Sequence, residues 1–192
     1  MAGHEAPDTL PRDLAGFLDW RLRQDAAYEF LGLQPRALLA MDRRASLIKG
    51  NLLAALDEAL DGRRDVVVGE TVELRTADAF SIAMLVVASR TTCLASPPCY
   101  LESDDITPLV IVETATPETA FRMHVEKWAA YRHIPSLRHY LVVEADKRLV
   151  RLHTRNREMV FGELFREAGT VPLEALGITL DVDSIYAGVI DG

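Results

Sequence analysis

Apolar residues recur at helical spacing near the start of the chain: Leu14, Phe17, Leu18 and Leu22 share a face with Arg21. The spacing predicts a helix from Leu10 to about Asp25, with Pro11 tolerated in its first turn. Tyr28-Glu29-Phe30 and Ala37-Leu38-Leu39 then read as two short extended segments around Gly32 and Pro35. A second helix is predicted over Arg43 to Leu60, with Asp42 as N-cap and Gly62 as stop. Its expected inner stripe is Leu47, Ile48, Leu52, Ala55, Leu56 and Leu60. Asp65–Val68 and Thr71–Leu74 are β-branched runs interrupted by Gly69. Ile82–Val87 and Pro108–Thr114 are nearly all apolar, as strands covered on both faces would be. Between them, residues 90–107 with Pro97-Pro98 read as a long loop.

Thr116-Pro117-Glu118-Thr119 carries a capping residue, a proline and an acid in the order that opens a helix. That helix is expected to run to about Arg132, before Pro135. Leu137–Glu144 and Arg148–His153 flank Ala145-Asp146-Lys147 and read as a hairpin. Met159–Phe165 is expected as a further strand and Asp183–Val189 as a closing helix. Helix, strands, helix and more strands make a mixed α/β (α+β) sheet flanked by helices.

Composition narrows the function classes. The 192 residues favour one domain, here 10–192, behind a flexible tail of residues 1–9. Lys and Arg total 21 against 29 Asp and Glu, a net charge of −8. Such a surface argues against a general nucleic-acid coat or an anionic-membrane binder, though not against a local DNA groove. Two cysteines build no disulfide framework, and Cys93 and Cys99 have no partner pair for zinc. No apolar run spans a bilayer and the N-terminus lacks a signal-peptide core, so a cytoplasmic location is expected.

One charge stands out. Glu113 ends the apolar run Leu109-Val110-Ile111-Val112, where a carboxylate is costly unless it is paired or metal-bound. Lys127 follows fourteen residues later, on a helical stripe with Met123 and Tyr131. Phe121, Val125 and Trp128 form the adjacent stripe. If this helix packs on the sheet, Lys127 reaches the mouth of the Glu113 strand. Glu29 is a third candidate. Two glutamates and a lysine at a strand end are parts for a Mg²⁺ site that hydrolyses a phosphodiester. A buried structural ion pair accounts for Glu113 and Lys127 equally well. His124, one turn before Lys127, is a candidate neighbour. The five histidines show no metal-ligand spacing, and Arg43-Arg44-Lys49 and Arg63-Arg64 read as solvated helix ends. Trp128 and Tyr131 read as core rather than base-stacking platforms.

Taken in order, FLDWRLRQ…YEF, LIKGNLLAAL, PLVIVETATPET, EKWAAYRHIPSLRHYLVVEADKRLV and LGITLDVDSIY resemble the Uma-type restriction endonuclease family of the PD-(D/E)XK nuclease superfamily. The resemblance runs from about Leu10 to Ile190. It implies a restriction endonuclease-like fold, DNA phosphodiesters as substrate and Mg²⁺ as cofactor if the protein is active. It places Glu29, Glu113 and Lys127 at catalytic positions, with Glu113 as a metal ligand. Four family positions differ here. Ile82-Ala83 stands where the family has Pro-Asp, so Ala83 replaces a metal-binding Asp. Gly32-Leu33 stands for Asp-Gly, Ala45 for a His, and Met123 for an Asp. The expectation is a weak or inactive nuclease. The alternatives are an active Mg²⁺ endonuclease with a relocated acid (Asp78, Glu70, Asp104 or Asp105) and a non-catalytic interaction module or homodimer.

Overall fold

The computed structural model describes residues 10–89 and 107–189. The expected N-terminal tail, most of the Pro97-Pro98 loop, both cysteines, Asp104 and Asp105 lie outside them. Helix α1 spans Leu14–Arg21, shorter than expected at both ends; Asp13 sets its start by accepting from the Gly16 amide. Its buried Phe17 and Trp20 pack with Phe30 and Phe80. Strands β1 (Tyr28–Leu31) and β2 (Gln34–Ala37) form a hairpin. Pro35 lies within β2 rather than between the strands, and β2 tolerates it because it is the sheet's edge.

Helix α2 (Arg43–Ala59) has the expected cap, with Asp42 Oδ1 2.7 Å from the Ala45 amide. It buries Ala45, Ile48, Leu52 and Leu56, whereas Leu47, expected inside, is exposed. Asp65–Leu74 was expected to break at Gly69; it is instead one strand, β3 (Val66–Arg75), with Gly69 paired to Val86. The ladder skips Thr71, whose φ of 54° is unusual for a β-branched residue.

Strand β3 pairs along the whole of β4 (Phe80–Ser89), which β5 (Pro108–Ala115) meets antiparallel. From β5 the chain passes through a π-helical stretch, Arg122–Lys127, into α3 (Trp128–Tyr131) and back to β6 (His139–Glu144), parallel to β5. The helix was expected to be regular α. Its stripes are also unequal: Met123, Lys127 and Tyr131 are buried, while Phe121 and Val125 are exposed. The expected hairpin is present as β6 with β7 (Val150–Arg155), and β8 (Phe161–Arg166) adds to it. The closing helix is a single turn, α4 (Val182–Ile185). It follows a hairpin of β9 (Thr170–Leu173) and β10 (Ile178–Asp181) that has no counterpart in the sequence expectations.

The main sheet has eight strands in the order β2-β1-β4-β5-β6-β7-β8, with β3 on the remaining edge of β4. One core layer lies under α2, β9, β10 and α4, and a second lies under the π-helical stretch and α3. Strands β1 and β5 share one edge of β4: β1 pairs at Phe80, and β5 pairs from Leu85 to Ala88. Between those contacts the edge is open. The candidate site fills that split.

Candidate active site

Ile82 sits in the split, where β4 has no strand partner on that side. Backbone groups buried there need other partners. Glu29, from β1, accepts from the Ile82 amide through Oε1 at 2.9 Å. Lys127 donates to the Ile82 carbonyl at 2.7 Å. Lys127 Nζ also lies 2.8 Å from Glu113 Oε1 and 2.9 Å from Glu29 Oε1. Three oxygens surround an ammonium that has three protons, so its donors are all engaged. Tyr131 OH adds a hydrogen bond to Glu113 Oε1 at 3.1 Å. Arg122 lies 3.6 Å from Glu29 Oε2 while donating to the Ala37 carbonyl at 2.9 Å. Two carboxylates therefore face two cations, and the cluster is close to neutral.

The helix that delivers Lys127 is shaped for it. A π-helical turn leaves carbonyls without their usual partners, and Tyr140 OH donates to the Met123 carbonyl at 2.8 Å. Glu29, Glu113 and Lys127 are all buried, at 0%, 3% and 1% exposure. Burial raises the Glu113 carboxyl above its ordinary value, and neighbouring Glu29 adds to this, against the opposing pull of Lys127. For Lys127, burial alone would lower the ammonium, but the Glu113 and Glu29 charges outweigh it and hold it above its ordinary value.

Beside this cluster opens a cavity of about 580 Å³ that Ala83, Met123, Ala45, Glu113 and Lys127 all line. Three of the four positions expected to differ from the family pattern thus line one cavity. The fourth does not: Gly32 and Leu33 line a separate small pocket with Asp78 and Glu126. Of the suggested replacement acids, Glu70 is 2.9 Å from Lys49, and Asp78 lies in the β3–β4 turn beside Thr76. Neither lines the cavity. His124 turns away to Glu144, 2.8 Å distant. That bond and the nearby cations hold Glu144 below its usual range despite its burial. Trp128 is core: it stacks on His153 and Tyr140 and meets Phe161 edge-on.

The sequence reading missed Tyr131 as a partner of Glu113, Arg122 as a counter-charge to Glu29, and the Ile82 backbone as the group the cluster serves. Arg122 could have been suspected from its place on the Lys127 helix. The Ile82 role has no sequence signal, because it arises from which strands meet β4.

The profile of the Uma2 family, described as putative restriction endonuclease, matches residues 14–183. The chain belongs to this family. A crystal structure of a putative nuclease of the DUF820 group from Anabaena variabilis is similar to it, with a TM-score of 0.75 at 11% identity, over 94% of this chain and 100% of that one. At that identity the likeness carries the fold, and the Uma2 member described here has the restriction endonuclease-like fold. No curated protein matches its sequence.

Divalent cations are the general requirement of such nucleases, which makes the donor set here decisive. A hard cation needs several oxygens, usually from more than one carboxylate. In this Uma2 protein Glu113 is the one cavity carboxylate at the strand end, and its Oε1 already accepts from Lys127 and Tyr131. Ala83 and Met123, which line the same cavity, offer no oxygen ligand from their side chains. Among the described residues, no group of three or more His, Cys, Asp and Glu is placed to hold a metal ion. The residues present do not fit the cation. Among the described residues, no helix is long and apolar enough to cross a membrane.

Proposed function

We propose that this Uma2 protein keeps the nuclease scaffold but does not cleave DNA by a metal-dependent route. The observation that carries the reading is the self-contained cluster of Glu29, Glu113, Lys127 and Arg122 beside Ala83. An active site of this type needs a carboxylate pair in excess of its cations, so that a divalent ion makes up the difference. Here the charges already balance, and the lysine has no proton free for a phosphate oxygen. The mouth supports the same reading, because Asp42 and Glu118 line the cavity where a phosphodiester would enter. Like charge at that point disfavours a polyanion.

Plasmid nicking in Mg²⁺ or Mn²⁺ tests the proposal. No metal-dependent nicking is expected from the wild type, and calorimetry should detect no specific Mn²⁺ site. Ala83→Asp should gain Mn²⁺ binding. Robust wild-type nicking that vanished in Glu113→Ala would overturn the proposal and favour a relocated acid.

A role in self-association belongs with this reading. Leu38, Leu39 and Met41 at the cavity mouth are exposed, as are Phe121 and Val125 on the adjacent helix. Such apolar exposure around one opening suits an interaction surface. Light scattering should find a dimer at micromolar concentration, and a strict monomer would remove this second role.

A further inference from the structure

The cavity is largely apolar. Leu38, Leu39, Met41, Met84 and Met123 form much of its wall. At about 580 Å³ it falls within the range of small-molecule sites. Its lining is acidic: Asp42 and Glu118 lie outside the balanced cluster of Glu29, Glu113, Lys127 and Arg122, and among the described residues the lining adds no further cation to offset them. Glu118 stays ionised, since a hydrogen bond with Thr116 lowers its carboxyl below the ordinary value. Asp42 is near enough for its charge to act on Glu118.

A half-used acceptor also lines this space. Glu113 is 3% exposed and lines the cavity. Both of its donors, Lys127 and Tyr131, address Oε1. Its Oε2 has no protein donor among the described residues and is not sealed from solvent, so it is the oxygen free to accept from a ligand in the cavity.

We infer that the cavity binds a small apolar molecule carrying a positively charged amine. The methionine and leucine wall would take the apolar body, and the flexible thioethers would adapt to its shape. The ammonium would donate to Glu113 Oε2 or sit between it and the acids at the mouth. Neutral molecules would gain only the apolar term, and carboxylates would meet like charge. The inference rests on the reading that the cleft takes no metal cation.

Three of the chain's five methionines line the cavity, which supplies the assay. Protein with ¹³C-labelled methionine methyls is titrated with 4-phenylbutylamine, 4-phenylbutanol and 4-phenylbutyrate, three probes with one apolar body. The amine should move the Met41, Met84 and Met123 resonances. Met159 should stay still, because it lies elsewhere, against Arg138. The alcohol should bind roughly tenfold more weakly and the acid more weakly still. Glu118→Gln, at an exposed position, should weaken the amine roughly two- to fivefold and leave the alcohol unchanged. The inference is overturned if the three methyls do not respond, if the acid binds as well as the amine, or if Met159 shifts in parallel. Metal-dependent nicking by the wild type would overturn the reading of the cleft, whatever the methyls do. Silent methyls in a protein that does not nick would overturn this inference alone.

Discussion

Lys127→Met is the sharpest perturbation of the buried cluster. Methionine has nearly the length of lysine but no proton to donate. The Ile82 carbonyl would lose its partner, which costs about 1–3 kcal/mol when the group stays buried. Glu29 and Glu113 would lose their common cation, and breaking a buried pair on one side costs about 3–5 kcal/mol. These are not additive, since the glutamates can take up protons. The expected net loss at neutral pH is about 3–5 kcal/mol, which lowers Tm by roughly 6–20 °C for a chain of this size. The pH dependence gives the mechanism. Burial already raises Glu113 in the wild type, and removing Lys127 removes the charge that opposes this. For a group raised on folding, the stabilisation is complete below its unfolded value and is lost as pH rises through the folded one. The deficit of the variant should therefore grow from pH 5 to pH 8. Urea denaturation followed by tryptophan fluorescence at both pH values measures it. Adding Glu113→Gln to Lys127→Met should recover at least about 1 kcal/mol, because the amide carries no charge to strand. A deficit under about 1 kcal/mol that does not change with pH would refute the claim that this cluster is buried and mutually compensated.

Two further outcomes follow from local features. Leu33 has a φ of 61° in the β1–β2 turn, next to Gly32 at 58°, so both central positions are left-handed. Leu33→Gly should stabilise by about 0.5–1 kcal/mol, seen as a higher urea midpoint, because relief of strain exceeds the added chain entropy; a lower midpoint would contradict the turn geometry. Burial lowers the His153 and His139 imidazoles below their ordinary value, so their stabilisation is present above about pH 6.5 and lost as pH falls. His153→Phe keeps a ring against Trp128 and should flatten the fall in urea midpoint between pH 7 and pH 5; an unchanged slope would show that His153 is charged in the folded protein.

Local chemistry decided much of this protein. Asp42 begins α2 and the apolar runs of β4 and β5 lie buried because caps and periodicity act within a few residues. Ala83, Ala45 and Met123, which the family resemblance singles out in the sequence, line one cavity. The β9–β10 hairpin, the single strand through Gly69 and the π-helical delivery of Lys127 were not legible, because pairing partners and helix register depend on residues far along the chain. The same holds for the cluster itself. Which residues are ionisable was written in the chain, but that β1 and β5 would leave Ile82 without a strand partner was a matter of sheet topology. That opening, closed by Glu29 and Lys127, is what brings the two glutamates and the lysine into one buried ion cluster.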